Sequence, residues 1–495
     1  MGLLELPAEL LIAIGDELRQ SRTAVALAST NRALGRIFQP LAYKLNVQFE
    51  SSRALLWAAS QNSPHVMREI LSYPGANVNT PDDRHRTPVF HAIRRNNLEI
   101  LQILHTSSKV DYNWKDDRGR TPLIYALSKG QISMGSCLLT LHSPDLAIED
   151  NKIRSALWYA VKSCNKAMVM ELLQRGGDMK RSDYKGMPPL NLAIYKNHLP
   201  IVIGMLQLAR RPLGLEWVDE FAYCKPLFLA LRLGRLDIAQ SLLSHGADPN
   251  ETDINGDTAL HVAISKRHEK AVAVMLGQAR LEVTAMNRAG ETALHAAAYY
   301  KYDAIFLLLL AAPGQNHEMR DNLGRTALHI AAEMGHRSIV RQLLGIPSVD
   351  LNGNKNPTLV GGSHRCDDDG VERPSTLHRA VKQRDIASAS LLLEESRLNP
   401  NVYDDMGWTP LRQATYHGDL QMVDSRADVE VNTPRCPPLF YAAQQGHSAI
   451  VERLIKIEGI DIDLGFRGSS PLQAAARSGH GNITRMLQRK KQSMH

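Results

Sequence analysis

Four histidines recur at one place in a repeated phrase: His261, His295, His329 and His378. Imidazole is the commonest metal ligand and a frequent general base near neutral pH. A row of such rings is therefore the first chemistry this chain offers. Their spacing argues against it: they lie 34, 34 and 49 residues apart. Equivalent positions on stacked helices stand about 8–10 Å apart, whereas zinc holds His nitrogens at about 2.0–2.1 Å. Hydrogen bonds to the neighbouring turn are the expected use of these rings. A second cluster, His364, Cys366, Asp367, Asp368 and Asp369, sits in the polar stretch Gly353–Pro374. It lacks the ordered ligand spacing of a zinc or calcium site and reads as an inserted loop. No phosphate loop, dinucleotide fingerprint, nucleophile elbow or kinase signature occurs. The expectation is no enzyme, no catalytic residue, no cofactor and no metal.

The elements that carry these histidines are set by a period. Thr258-Ala-Leu-His261-Val-Ala263, Thr292-Ala-Leu-His295-Ala-Ala297 and Thr326-Ala-Leu-His329-Ile-Ala331 begin 34 residues apart. The same slot continues upstream at Lys225, Pro188, Ser155, Thr121, Thr87 and Arg53, and downstream at Ser375, Thr409, Pro437 and Ser470. Nine of the twelve spacings are 33 or 34 residues, so chance is a poor explanation. Gly recurs two residues before the slot (Gly119, Gly186, Gly256, Gly290, Gly324, Gly407, Gly468). Asp recurs five before it (Asp82, Asp116, Asp150, Asp183, Asp253, Asp321, Asp404). Gly supplies positive φ and Asp folds back on the turn backbone, which makes a hairpin turn ahead of each helix pair. Thr at the slot caps the first helix, and Pro after it (Pro88, Pro122, Pro410) takes the first helical position. Gly335 ends the first helix in a left-handed cap, and Ile339, Val340, Leu343 and Leu344 mark the second.

This unit resembles an ankyrin repeat, from about Ser52 to the C-terminus. The resemblance implies an all-α solenoid of about 13 helix pairs with β-hairpin turns, which presents a long surface rather than a catalytic pocket. Two spacings depart from the period. The gap of 49 between Thr326 and Ser375 places an inserted loop at 351–374, between a first stack (52–350) and a second (375–492). The gap of 28 between Thr409 and Pro437 shortens a second helix near Leu420, by an interruption of the stack or a loss of sequence.

Composition narrows the class. The chain has 495 residues, 58 basic and 51 acidic side chains and 5% aromatics. Basic and acidic residues interleave, which reads as a solvated surface rather than a nucleic-acid stripe. Arg86, Arg120, Arg154 and Arg325, one before the slot, fall under the same reading. Cys137, Cys164, Cys224, Cys366 and Cys436 are odd in number and scattered, which suits a reducing compartment. The longest apolar run, from Ala304 to Pro313, falls short of the ~20 residues a membrane helix needs. Glu5, Pro7 and Glu9 break the N-terminal apolar stretch, which argues against a signal peptide. Cytosol or nucleus is the expected location.

Residues 1–44 do not fit the repeat. Leu10, Ile14 and Leu18 form one helical stripe beside Leu11, and two shorter stripes follow. Three helices in so few residues make a core too small to stand alone. The opening Leu6-Pro7-x-Glu9-Leu10-Leu11-x-x-Ile14, with Leu27, Thr30, Asn31 and Arg32 after it, resembles an F-box. That resemblance implies docking of Leu6, Pro7, Glu9, Leu10, Leu11, Ile14 and Leu18 on the Skp-type adaptor of a cullin ubiquitin ligase. Residues 45–51 would link it to the array. The implied function is a substrate receptor, monomeric outside its complex, holding an unknown target protein. The alternative is an ankyrin scaffold with no ligase link, in which residues 1–44 cap the solenoid's open end. Candidate target contacts are aromatics in the turns: Trp114, Trp408 and, in the longer turn, Trp217, Phe221 and Tyr223. Neither nucleic acid nor membrane is an expected partner.

Overall fold

The computed structural model describes residue 43 and residues 53–208, 225–352, 374–404, 406–424 and 437–494. Apart from Tyr43, the module expected at 1–44 and the linker 45–51 lie outside the described residues. So do the adaptor-docking residues Leu6, Pro7, Glu9, Leu10, Leu11, Ile14 and Leu18, and the aromatics Trp217, Phe221 and Tyr223.

The described residues hold 26 helices and, beyond them, only two isolated bridges, Thr252–Thr258 and Phe466–Ser469. The helices come in pairs such as Pro122–Ser128 with Ile132–Leu141. The slot residue sets where each pair starts. Thr121 is an N-cap whose side chain accepts the Ile124 N–H, and Pro122 follows at a position needing no N–H partner. At Thr258, Thr292, Thr326 and Ser375 the cap is closed by a histidine three residues on. Imidazole there takes the role that Glu or Gln plays in the usual capping box, and Gln473 plays it for Ser470.

What ends each first helix is equally regular. The residue nine after every slot has positive φ, from Asn62 (59°) to Gly479 (79°). Six of these are Gly and three are Asn, but Cys164, Arg267, Lys301 and Arg384 adopt the same conformation. A left-handed residue there reverses the chain into the second helix. Five residues after every slot stands an alanine, from Ala58 to Ala475, and each is buried. A side chain of one carbon lets neighbouring first helices approach closely, and the second helices fill the layer behind with Leu, Ile, Val and Met.

Packing divides the chain into two compact units, Met1–Ala247 and Asp248–His495. In the first unit each first helix lies on the next, from Arg53–Gln61 to Pro226–Arg232. In the second the same row runs from Ala259–Ser265 to Pro471–Arg477. The inserted loop expected at 351–374 lies, from 353 to 373, outside the described residues. The helices Ala327–Glu333 and Thr376–Lys382, on either side of that segment, pack directly on each other. Arg379 reaches Glu333 at 3.1 Å, and Arg397 donates to the carbonyl oxygens of Leu344 and Pro347 at 3.0 and 2.7 Å. The shortened repeat keeps the row too. Its second helix is only Leu420–Asp424, yet Pro410–His417 and Pro438–Gln445 still pack together.

Candidate functional site

The turns before each pair form fingers, and one carboxylate organises each. Asp150 Oδ1 accepts the N–H groups of Lys152 and Arg154 at 2.8 and 3.0 Å. Asp82, Asp116, Asp183, Asp253, Asp321 and Asp404 accept the equivalent pairs, and Asn287 does so where Asp is missing. The second oxygen takes a guanidinium: Arg86 on Asp82 at 2.7 Å, Arg120 on Asp116 at 2.7 Å, Arg154 on Asp150 and Arg325 on Asp321 both at 2.6 Å. These arginines are not a solvated face. Each closes its own finger, with the carboxylates of Asp116, Asp150 and Asp321 nearly fully buried.

Burial alone would raise the Asp150 carboxyl, but Arg154, the Tyr159 hydroxyl and two backbone N–H groups bonded to it hold it below the usual carboxylate value. Burial and the hydrogen bond to Asp150 push the Tyr159 hydroxyl up. Desolvation opposes the charged Arg154, but its hydrogen bond to Asp150 and the nearby charges of Tyr159, Asp150 and Asp183 together outweigh it, so Arg154 is raised. The clamp is thus charged and settled, with no group tuned for proton transfer near neutrality.

Successive fingers in the first unit are tied backbone to backbone. Asp117 N–H donates to Arg84 O at 3.0 Å, Asn151 N–H to Arg118 O at 2.9 Å and Tyr184 N–H to Lys152 O at 3.1 Å. This ladder fixes the register of the fingertips. Behind them the clamps lean on aromatic rings of the first helices. The Arg120 guanidinium lies 4.7 Å from the Tyr125 ring centre, and Arg154 lies 4.9 Å from that of Tyr159. Between two fingers a recess is lined by Arg118, Arg120, Lys152, Arg154, Asp150, Asn151 and Tyr159.

The two described tryptophans of the turns fall in different units. Trp114 is half-buried and donates its indole N–H to His85 O, one finger back, at 2.8 Å. Trp408 meets Tyr416 edge-on at 5.1 Å, and the Arg412 guanidinium lies 4.1 Å from its ring and 4.0 Å from that of Tyr441. Each therefore holds neighbouring elements together while keeping part of its surface in solvent. His261, His295, His329 and His378 stay in their caps, one per repeat. Among the described residues, no group of three or more His, Cys, Asp or Glu side chains is placed to hold a metal ion. No described helix is long and apolar enough to cross a membrane.

A family model described as ankyrin repeats (3 copies) matches residues 55–150, 227–321, 281–356 and 420–494. A second, ankyrin repeats (many copies), matches residues 377–424. The chain belongs to the ankyrin-repeat family. It is 28% identical over 115 residues to the Homo sapiens ankyrin and armadillo repeat-containing protein, covering 23% of this chain and 8% of that protein. It is 32% identical over 101 residues to the Mus musculus B-cell lymphoma 3 protein homolog, covering 20% and 22% respectively. This ankyrin chain spans less than a quarter of the length of these curated relatives. Among solved structures, the ankyrin repeat domain of Bcl-3 aligns with a TM-score of 0.42 at 24% identity, covering 45% of this chain and 99% of that one.

One feature of this surface escapes a reading along the chain. Arg84, Arg118, Lys152 and Lys185 all stand three residues before their slots, on successive fingertips, and all are exposed. Charge summed over a window hides them among Asp83, Asp117 and Glu149. Charge sorted by repeat position would reveal them.

Proposed function

We propose that this chain is a non-catalytic receptor of the cytosol or nucleus that holds a target protein on its ankyrin array and docks a Skp-type adaptor through residues 1–44. The ladder of hydrogen-bonded fingertips carries the first half of this reading. It offers a repeating surface whose groups are already ordered before a partner arrives, and this lowers the entropic cost of binding. Trp114, Trp408, Trp217, Phe221 and Tyr223 are the proposed aromatic contacts of the target. The second half rests on the sequence Leu6-Pro7-x-Glu9-Leu10-Leu11-x-x-Ile14, whose apolar stripe through Leu18 would meet the adaptor. Such a receptor performs no chemistry. It raises the concentration of its target near a transferring enzyme.

The test is binding of purified Skp-type adaptor to the full chain and to a Leu10→Asp/Leu11→Asp variant that keeps its helical circular dichroism. Binding lost only in the variant supports the ligase link. No binding by the unaltered chain leaves an ankyrin scaffold with residues 1–44 as its cap.

A further inference from the structure

The row of fingertip cations in the first unit breaks off in the second. Asn255, Ala289, Leu323 and Met406 stand at the same repeat position there, and a described cation returns only at Arg467. In the first unit the ladder from Arg84 O to Asp117, Arg118 O to Asn151 and Lys152 O to Tyr184 places one cation per repeat in register. The clamp arginines behind them already have carboxylate partners. The fingertip side chains do not: among the described residues no ion pair engages Arg84, Arg118, Lys152 or Lys185. The tips are partly pinned instead, since Lys152 and Lys185 each lie 5.6 Å from the Tyr184 ring centre.

The recess between two fingers extends this charge inward. Its walls carry Arg118 and Lys152 beside the clamp arginines Arg120 and Arg154, which Asp116 and Asp150 already balance. Past its Tyr159 floor, the Lys162 ammonium stands 5.9 Å from that ring. One repeat back, Lys129 stands 6.0 Å from Tyr125.

From this arrangement we infer that the finger face of the first unit binds an extended acidic segment of a partner protein, with one carboxylate per repeat. The spacing favours a peptide. Stacked helices are about 8–10 Å apart, and an extended polyproline II chain makes one turn in three residues with a rise of about 3.1 Å per residue. Every third residue of such a chain therefore returns to the same face about 9 Å on and meets the next cation. A nucleic-acid strand carries a phosphate about every 3.4 Å, far denser than one cation per repeat. The acids Asp83 and Asp117, beside Arg84 and Arg118, would repel a continuous polyanion. The inference rests on the reading of the array as a target-holding surface and names the chemistry of that target.

The experiment measures fluorescence anisotropy of labelled peptides with the full chain, at low and at physiological salt. One peptide has Glu at every third position between Gly and Ser. A second has the same composition with its Glu residues contiguous, and a third has Gln for Glu. The periodic peptide should bind best and the Gln peptide least, with affinity falling as salt rises. Arg118→Glu/Lys152→Glu should weaken the periodic peptide about ten-fold or more, while Lys266→Glu in the second unit should change nothing. Arg118→Gln/Lys152→Gln serves as the paired variant should the charge reversal fail to fold. Equal binding of the periodic and contiguous peptides, or binding indifferent to these substitutions, would overturn the inference. Single-stranded RNA that binds more tightly than the peptide and is lost in the same variants would also overturn it. A chain that binds adaptor but no acidic peptide keeps the receptor reading and loses this one. A chain that binds the periodic peptide but no adaptor does the reverse.

Discussion

His295 joins two successive repeats through opposite edges of one ring. Its Nε2 donates to the Arg325 carbonyl oxygen at 2.9 Å, while its Nδ1 accepts the Thr292 N–H at 3.1 Å. A carbonyl only accepts and an amide N–H only donates, so the neutral tautomer protonated at Nε2 is the form that fits. His261 makes the same bridge to Glu291 O at 3.0 Å and His378 to Trp408 O at 2.8 Å. The histidine column is therefore part of the interface energy that binds one repeat to the next.

Acid should weaken that interface. Burial holds His261, His295 and His329 below the ordinary imidazole value, and Arg379 and Arg320 add to the effect at His329. The unfolded chain takes protons below about pH 6.5, and the folded chain resists them. The unfolded state then binds more protons, so stability is full above that pH and is lost as pH falls toward the folded values. Each such proton contributes roughly 1.4 kcal/mol per pH unit. Urea midpoints on either side of that pH should show the drop, and His295→Gln should reduce its slope. A midpoint that rises on acidification would refute the account.

Lys301→Gly should stabilise the protein. Lys301 ends its helix with φ 59° and ψ 45° and is exposed. A left-handed residue with a Cβ costs about 1–2 kcal/mol, part of which Gly returns in the unfolded chain. A net gain of about 0.5–1 kcal/mol is expected, read as a higher thermal midpoint. Glycine within a helix should do the opposite. Ala126→Gly, inside a first helix and buried, supplies that control with a loss of about 1 kcal/mol or more.

How much of this was legible in the sequence follows from which constraints restrict residue type. The slot could be read because capping admits few residue types. Gly335 announced a left-handed cap, but Cys164 and Lys301 occupy the same conformation with no glycine to reveal it. The clamp arginines read as solvated because sequence shows a charge but not its partner. Asp150 and Arg154, four apart in a turn, meet only once the hairpin folds. The division after Ala247 left no mark in the spacing, whereas the longer 351–374 segment did, although packing continues across it.

Gly119→Ala and Gly407→Ala should separate strain from finger packing. Both glycines stand two before a slot with positive φ, 72° and 68°. A Cβ on Gly119 would overlap Asn151 Oδ1 and meet the Asn151 backbone N at 3.0 Å, whereas one on Gly407 meets nothing within 4 Å. Gly407→Ala should cost the backbone strain alone, about 1–2 kcal/mol. Gly119→Ala should cost more and should loosen the Asn151–Arg118 rung, seen as faster amide exchange at Asn151. Equal costs would mean that the fingers yield without penalty.

Asp150 offers the sharpest separation of turn from clamp. Asn287 shows that an amide can accept both turn N–H groups, at 3.0 Å each. Asp150→Asn should therefore keep the finger while removing the charge that balances Arg154. The expected cost is about 1–2 kcal/mol, since Arg154 retains some contact with water. Asp150→Ala removes the turn bonds as well and strands both the guanidinium and the Tyr159 hydroxyl, at about 3–5 kcal/mol. Chemical denaturation of the three proteins ranks them. Asn close to wild type and far from Ala would make the turn the dominant contribution, while Asn as damaging as Ala would assign it to the ion pair.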